Sequence, residues 1–214
     1  MLAFDENELQ WAEDIFRKID AKMEKTLPRT KCVIPYRVEN GRFENMAEKN
    51  ICWWTNGFWE GLLWLLYSRT GKQAYREAAQ QGEALLDGAF RNYPRLHHDV
   101  GFLWQLSAGL DYKLTGNNES RLRALFAASI LMSRFNLGGG YIRAWNDYPN
   151  DDTSGWSIIG TMMNLSILYW ASKELGDARF ARVAQAHADK SLRHHLRPDG
   201  SSKHIVVYDP QTGE

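Results

Sequence analysis

Apolar positions along the chain recur mainly at helical spacing. Between residue 7 and about 27, Leu9, Ile15, Phe16, Ile19 and Met23 repeat with a helical period, and Pro28 stops the run. Residues 28–53 lose that period: Pro35 and Asn40-Gly41 punctuate a mixed polar stretch, which is expected to be irregular. One layout then occurs three times: an aromatic-rich apolar helix, a glycine turn, and a more charged amphipathic helix. The units cover 57–69 with 74–90, 100–114 with 120–135, and 158–174 with 178–196, and Gly71, Gly116 and Gly176 mark the turns. Those glycines stand where a helix end favours a left-handed residue.

Each unit reads as an αα-hairpin, and repeats of about 45 to 60 residues indicate a helical array. The first helices are apolar nearly all round, as in Phe58-Trp59 with Leu62-Leu63-Trp64-Leu65-Leu66 and in Phe102-Leu103-Trp104, so they are covered on several sides. The second helices carry charge on one face, as in Tyr75-Arg76-Glu77 and Arg179-Phe180-Ala181-Arg182. Inner and outer helices in alternation predict an all-α fold, an (α/α) toroid. Strand signal is confined to residues 203–208. One N-terminal helix plus three hairpins gives about seven helices, where a closed six-hairpin barrel needs twelve. The expectation is therefore a single toroid domain over 1–214, truncated at the C-terminus, with inner-helix apolar surface exposed and prone to association.

Counting back from the turns aligns three positions. Trp54 lies 17 residues before Gly71, Asp99 lies 17 before Gly116, and Gly160 lies 16 before Gly176. They are expected at one rim, where three helix N-termini would face a common mouth and favour an anionic small ligand.

Charge narrows the choice of partner. Lys plus Arg number 26 and Asp plus Glu 26, so the formal net charge is zero, which argues against a nucleic acid as partner. No apolar run reaches the length of a membrane span, and the acidic N-terminus lacks the features of a signal peptide. Cys32 and Cys52 have no CxxC spacing, so reduced thiols in a cytoplasmic protein are expected. Nine Trp, nine Tyr and nine Phe suit either a large core or a cleft where sugar rings stack on indoles.

Several motifs carry candidate chemistry, each beside a structural alternative. Trp54, ahead of Thr55-Asn56-Gly57-Phe58-Trp59, is either a stacking platform or core, with Thr55 or Asn56 as N-cap. His97-His98-Asp99 opens the second inner helix. Asp99 there is either an N-cap or, with two histidines, part of a proton-transfer site. Adjacent histidines on a helix cannot both face one metal, so no zinc site is expected. Gly138-Gly139-Gly140 lacks a following Gly-Lys-Ser/Thr, so nucleotide binding is not expected. Asn150-Asp151-Asp152 lacks calcium-loop spacing. His194-His195 reads as favourable charge at a helix C-terminus. His204, after Pro198-Asp199-Gly200, reads as a ligand contact.

Four stretches taken together resemble one family. Trp54-Thr55-x-Gly57-Phe58-Trp59-x-Gly61, His97-His98-Asp99-x-Gly101-Phe102, Met163-Asn164-Leu165-x-x-Leu168-x-Trp170-Ala171 and Asp199-Gly200-Ser201-Ser202-x-His204 stand in the order seen in unsaturated glucuronyl hydrolases, glycoside hydrolase family 88. The resemblance runs from about residue 50 to the end. It implies an (α/α)6 barrel acting without a cofactor on anionic oligosaccharides released by polysaccharide lyases, which carry a terminal 4,5-unsaturated uronic acid. It also implies hydration of the vinyl ether: an acid protonates C4, water adds at C5, and the hemiketal collapses to release the sugar. Asp99 matches one of the family's two essential aspartates, and Trp54, His98, Trp145 and His204 match residues lining its substrate pocket. The second aspartate, its proton donor, falls at Gly160. Weak or no hydration is therefore expected from the chain as it stands. The alternatives are a sugar-binding relative without turnover and a helical-repeat interaction protein.

Overall fold

Local capping starts the first element. The structure, a computed structural model, describes residues 4–147, 150 and 152–214. Helix α1 (Glu6–Thr26) opens on a capping box, Asp5 accepting from the Glu8 N–H and Glu8 from the Asp5 N–H. Phe16 and Met23 dock on Leu63, Trp64, Leu66, Tyr75 and Ala79, whereas Leu9, Trp11 and Ile19 are exposed.

The stretch expected to be irregular contains regular structure. Strands β1 (Pro35–Glu39) and β2 (Arg42–Asn45) pair antiparallel about Asn40-Gly41, where both residues have positive φ, 50° and 72°. That is the Asn-Gly hairpin turn, and the alternation on either side of it is too polar to advertise strands. A short helix, α2 (Met46–Lys49), follows.

The three predicted hairpins are present. The first joins α3 (Asn56–Thr70) to α4 (Gln73–Phe90). The second is α5 (Val100–Gln105) and α6 (Ala108–Thr115) with α7 (Asn118–Ser133). The third is α8 (Thr161–Leu175) with α9 (Ala178–His194). Gly71, Gly116 and Gly176 end the first members at φ of 69°, 75° and 66°, their N–H groups donating to Tyr67, Tyr112 and Ser172 carbonyls. The second inner helix, read as continuous, is broken between α5 and α6. Ser107, buried at the break, donates its hydroxyl to the Leu103 carbonyl, and its own carbonyl accepts from Leu110 and Asp111. The apolar pattern runs through the break unaltered, so it gave no sign of it. With this break and α2, the helices among the described residues outnumber the seven expected.

Inner and outer layers are laid out as the composition implied. α5 packs between α3 and α8, while α7 lies behind α5, α6 and α8, and α9 behind α8. Leu65 of α3 and Met163 of α8 are exposed at 62% and 67%. Strand pairing is not confined to the end: β3 (Phe135–Asn136) pairs with β4 (Tyr141–Ile142), and β5 (Trp156–Ile158) with β6 (Ile205–Val207). No helix among the described residues is long and apolar enough to cross a membrane.

Backbone approach brings the inner helices together. A Cβ on Gly57 would lie 2.3 Å from the Leu103 carbonyl oxygen, so α3 and α5 are in contact that only a glycine permits. Gly57→Ala is expected to destabilise the fold by about 2–3 kcal/mol, since a backbone atom has to move. Gly88→Ala, in α4 with its nearest neighbour at an ordinary 3.6 Å, is expected to be neutral or stabilising by up to about 1 kcal/mol. Denaturant unfolding of the two variants compares them directly; equal losses would refute the packing argument.

Candidate active site

Five separate chain segments meet at one pocket of about 460 Å³, lined by Trp53, Trp54, His97, His98, Asp99, Phe102, Trp145, Ile158, Gly160 and His204. The three rim positions derived from turn spacing, Trp54, Asp99 and Gly160, are all in it. So are His98, Trp145 and His204. Backbone bonds tie the segments: His98 N–H donates to the Ala144 carbonyl, Ala144 N–H to Trp156, and Ile159 N–H to His204.

One wall is aromatic. Trp54 packs against Phe58 and Phe102 with ring centroids 5.9 and 6.2 Å away, and it remains 39% exposed. The core alternative for Trp54 therefore fails. Thr55 is the N-cap residue of α3 but makes no capping bond, and Asn56 is buried, donating to the Asn50 and Ile51 carbonyls. Trp145, also lining the pocket, packs against Trp156 with ring centroids 5.4 Å apart and planes tilted by 35°.

Asp99 precedes α5 but does not cap it. Its Oδ1 accepts from Asn164 Nδ2 at 3.1 Å, and its Oδ2 faces His97 Nδ1 at 3.4 Å and His98 Nε2 at 3.3 Å. Burial pushes the carboxyl up, but its histidine hydrogen bonds outweigh this and hold it below the ordinary carboxylate range. His98 is fully enclosed. Burial lowers its pKa despite the neighbouring Asp99, so its ring is neutral. Its Nδ1 lies 2.6 Å from Thr161 Oγ1. With the threonine hydroxyl donating there, Nε2–H is left to face Asp99. The pocket thus offers a fixed anion beside a neutral donor.

His97 and His98 stand in the turn before α5, not on the helix, which corrects the reason given against a metal. One donor atom from each of His97, His98 and Asp99 lies within 4.8 Å of the others. The hydrogen bonds already described account for that convergence, and the Asp99 N–H points at His97 Nδ1 as well.

Gly160 is the N-cap residue of α8, with φ −59° and ψ −22°, values any residue adopts. A Cβ there would meet only Ile158 Cγ2, at 3.9 Å. Being at the cap and not in the helix interior, this glycine carries little of the cost of a glycine within a helix. Asp152 is exposed and turned to the Ser154 N–H, and Asp151 lies outside the described residues.

Three residues without an assigned role shape the site. Arg134, at the end of α7, is largely buried and donates to the carbonyls of Leu96, Arg143, Ala144 and Trp145 and to Asn146 Oδ1. Burial pushes it down to about 10, so it stays charged while fixing the loops of His97 and Trp145. Thr161 and Asn164 act from the first turn of α8. A buried Asn inside Met163-Asn164-Leu165 was the available signal. Arg134 gave none, because a charged residue ending an outer helix reads as solvated. His195 corrects another expectation: it is fully buried, its ring bridging Ser157 Oγ and the Lys203 carbonyl, and so supports the segment carrying His204. His194 has its pKa lowered by burial and by nearby Lys190 and Arg193, so it is not a favoured charge either.

No family model matches the chain. It is 41% identical over 161 residues to an unsaturated glucuronyl hydrolase of Bacillus sp. (strain GL1), covering 75% of this chain and 43% of that protein. It is 38% identical over 162 residues to an unsaturated chondroitin disaccharide hydrolase of Streptococcus pyogenes serotype M1, covering 75% and 40%. The crystal structure of the unsaturated glucuronyl hydrolase from Bacillus sp. GL1, described as responsible for glycosaminoglycan degradation, superposes with a TM-score of 0.78 at 35% identity, covering 91% of this chain and 50% of that one. The chain thus spans half or less of the length of these relatives.

Acid sensitivity follows from the buried histidines. Burial lowers His98 and brings His187, whose Nδ1 accepts from the Ile142 N–H, down to about 3. The folded state then binds fewer protons than the unfolded chain, whose histidines titrate near 6.5. Stability is complete above that pH and lost as pH falls, by about 2 kcal/mol for His187 between pH 7 and pH 5. Asp99, also depressed, adds loss only below about pH 4. Denaturant midpoints at pH 7 and 5 are expected to differ in the parent and to differ by less in His187→Gln, where His98 still contributes. An identical gap in that variant would show that His187 is not its source.

Proposed function

The chain is homologous to the N-terminal portion of the unsaturated glucuronyl hydrolases, and from that premise we propose that its pocket receives the terminal 4,5-unsaturated uronic acid of an anionic oligosaccharide. The observation that carries this reading is the convergence of Trp54, His98, Asp99, Trp145 and His204 on one open pocket. Trp54 and Trp145 supply faces for the sugar ring. His204 and the His98–Asp99 pair supply polar contacts. The corresponding reaction is hydration of the C4=C5 vinyl ether: a proton goes to C4, water oxygen bonds to C5, and the hemiketal opens to expel the remaining sugar. It needs no cofactor.

Asp99 has the wrong protonation state to start that sequence. An ionised carboxylate can accept a proton from water but cannot give one to C4. The position for a second carboxyl is Gly160, beside Asp99, and the two share a donor: Asn164 Nδ2 reaches the Gly160 carbonyl at 3.3 Å as well as Asp99 Oδ1. Without a side chain there, the chain binds the sugar and turns it over slowly or not at all. The relatives, all named as hydrolases, support the hydrolase reading, with turnover limited by the missing side chain at 160. The free thiols of Cys32 and Cys52 support a cytoplasmic location, where products of lyase action would be consumed.

Gly160→Asp tests the assignment. The backbone is permissive, and the fixed charge of Asp99 raises the pKa of a carboxyl placed next to it, which suits an acid. Loss of the unsaturated chromophore of a chondroitin disaccharide is expected to accelerate by about 10²-fold or more. Calorimetry is expected to register binding by the parent. Equal rates in both forms would refute the role given to position 160.

A further inference from the structure

We infer that Asn164 is a positioning residue that relieves Asp99 of helix capping and turns its carboxylate to the pocket. An aspartate just before a helix ordinarily accepts from the N–H two or three residues on. Here the third N–H of α5, that of Phe102, donates instead to Asn164 Oδ1 at 2.7 Å. The cap is supplied by a side chain of α8, another helix altogether. The amide orientation is fixed by this bond. With Oδ1 on an N–H, Nδ2 has only acceptors before it, Asp99 Oδ1 at 3.1 Å and the Gly160 carbonyl at 3.3 Å.

The surroundings are built for that contact. Asn164 is fully buried, and a Cβ on Gly101 would lie 2.5 Å from its Oδ1 and 2.9 Å from its Cα. Only a glycine at 101 lets α8 come close enough for its asparagine to reach both groups. One turn earlier, Thr161 holds His98 in the orientation that faces Asp99. Position 164 therefore separates two demands on the start of α5. Helix capping goes to Asn164, and Asp99 is free for ligand.

Asn164→Asp discriminates positioning from packing. It keeps an oxygen for the Phe102 N–H, so α5 stays capped, but replaces the donor to Asp99 with a second carboxylate. The titratable and charged groups around Asp99 are otherwise unchanged: His97 and His98 from its own segment, and Arg134 from the end of α7. Carbon-detected NMR of the assigned Asp99 side chain in the full chain is expected to show at least a tenfold gain in proton affinity in Asn164→Asp. In Asn164→Ala, Asp99 is expected to swing onto the Phe102 N–H, and affinity for an unsaturated chondroitin disaccharide to drop at least tenfold. An Asp99 titration unmoved in folded Asn164→Asp overturns the inference, as does loss of the fold in both variants, which would assign Asn164 to packing alone. Its functional meaning rests on the sugar-pocket reading, yet the titration is read without sugar. A responsive Asp99 in a parent that binds no disaccharide sinks that reading and spares this one.

Discussion

Contact between the starts of the inner helices is the constraint on which the rest of the structure depends. Gly57 lets α3 meet the backbone of α5, and Gly101 lets α5 meet Asn164 of α8. Each contact is too close for any side chain, and each sits within a few residues of a pocket residue. Fixing three helix starts at van der Waals distance sets the height of Trp54, Asp99 and Gly160 relative to one another. It also explains why the helices can diverge elsewhere: α5 breaks after one and a half turns, once its contacts at the mouth are made. The pocket follows from this convergence, because the loops preceding these helices have nowhere else to meet.

Burial then sorts the polar groups into fixed states. A histidine enclosed on all sides is cheaper to keep neutral than charged, and a carboxylate that accepts hydrogen bonds is cheaper to keep ionised than protonated. His98 and Asp99, adjacent in sequence, fall on opposite sides of this rule because Asp99 receives hydrogen bonds that reward its charge. Arg134 supports the arrangement from behind. Its guanidinium is spent on carbonyls that hold the loops in place, and it adds a positive charge to a pocket expected to take an anion. Preorganisation of this kind leaves little to rearrange when a ligand enters.

What could be read from the sequence divides along physical lines. The hairpins were legible because a helix end needing positive φ leaves a glycine, and three such glycines set the register of three rim positions. Asp99 was visible as a carboxylate before an apolar helix, but its purpose was not, since capping and ligand contact call for the same residue type. In the structure the capping oxygen comes from Asn164, 65 residues away in the chain. Long-range bonds of this sort leave no periodic trace. Arg134 was missed for the same reason, and the β1–β2 hairpin because its polar strands lack a buried face. The break at Ser107 was invisible because an apolar pattern does not record whether the backbone beneath it is continuous.

Binding and turnover are separable in this architecture. The side chains that would hold a sugar are anchored by backbone bonds among 98, 144, 156, 159 and 204, and none of those bonds uses a side chain at 160. Residue 160 contributes its carbonyl to Asn164 and its amide geometry to the start of α8, which glycine supplies as well as any other residue. Its side-chain space opens on the pocket and not on the core. A change there alters the chemistry available without loosening Trp54, Asp99 or His98. At Gly57 or Gly101 the opposite holds, because any added atom strikes backbone or the buried Asn164. Positions within one short motif region thus differ completely in what they tolerate, and the difference lies in which direction the Cβ vector points.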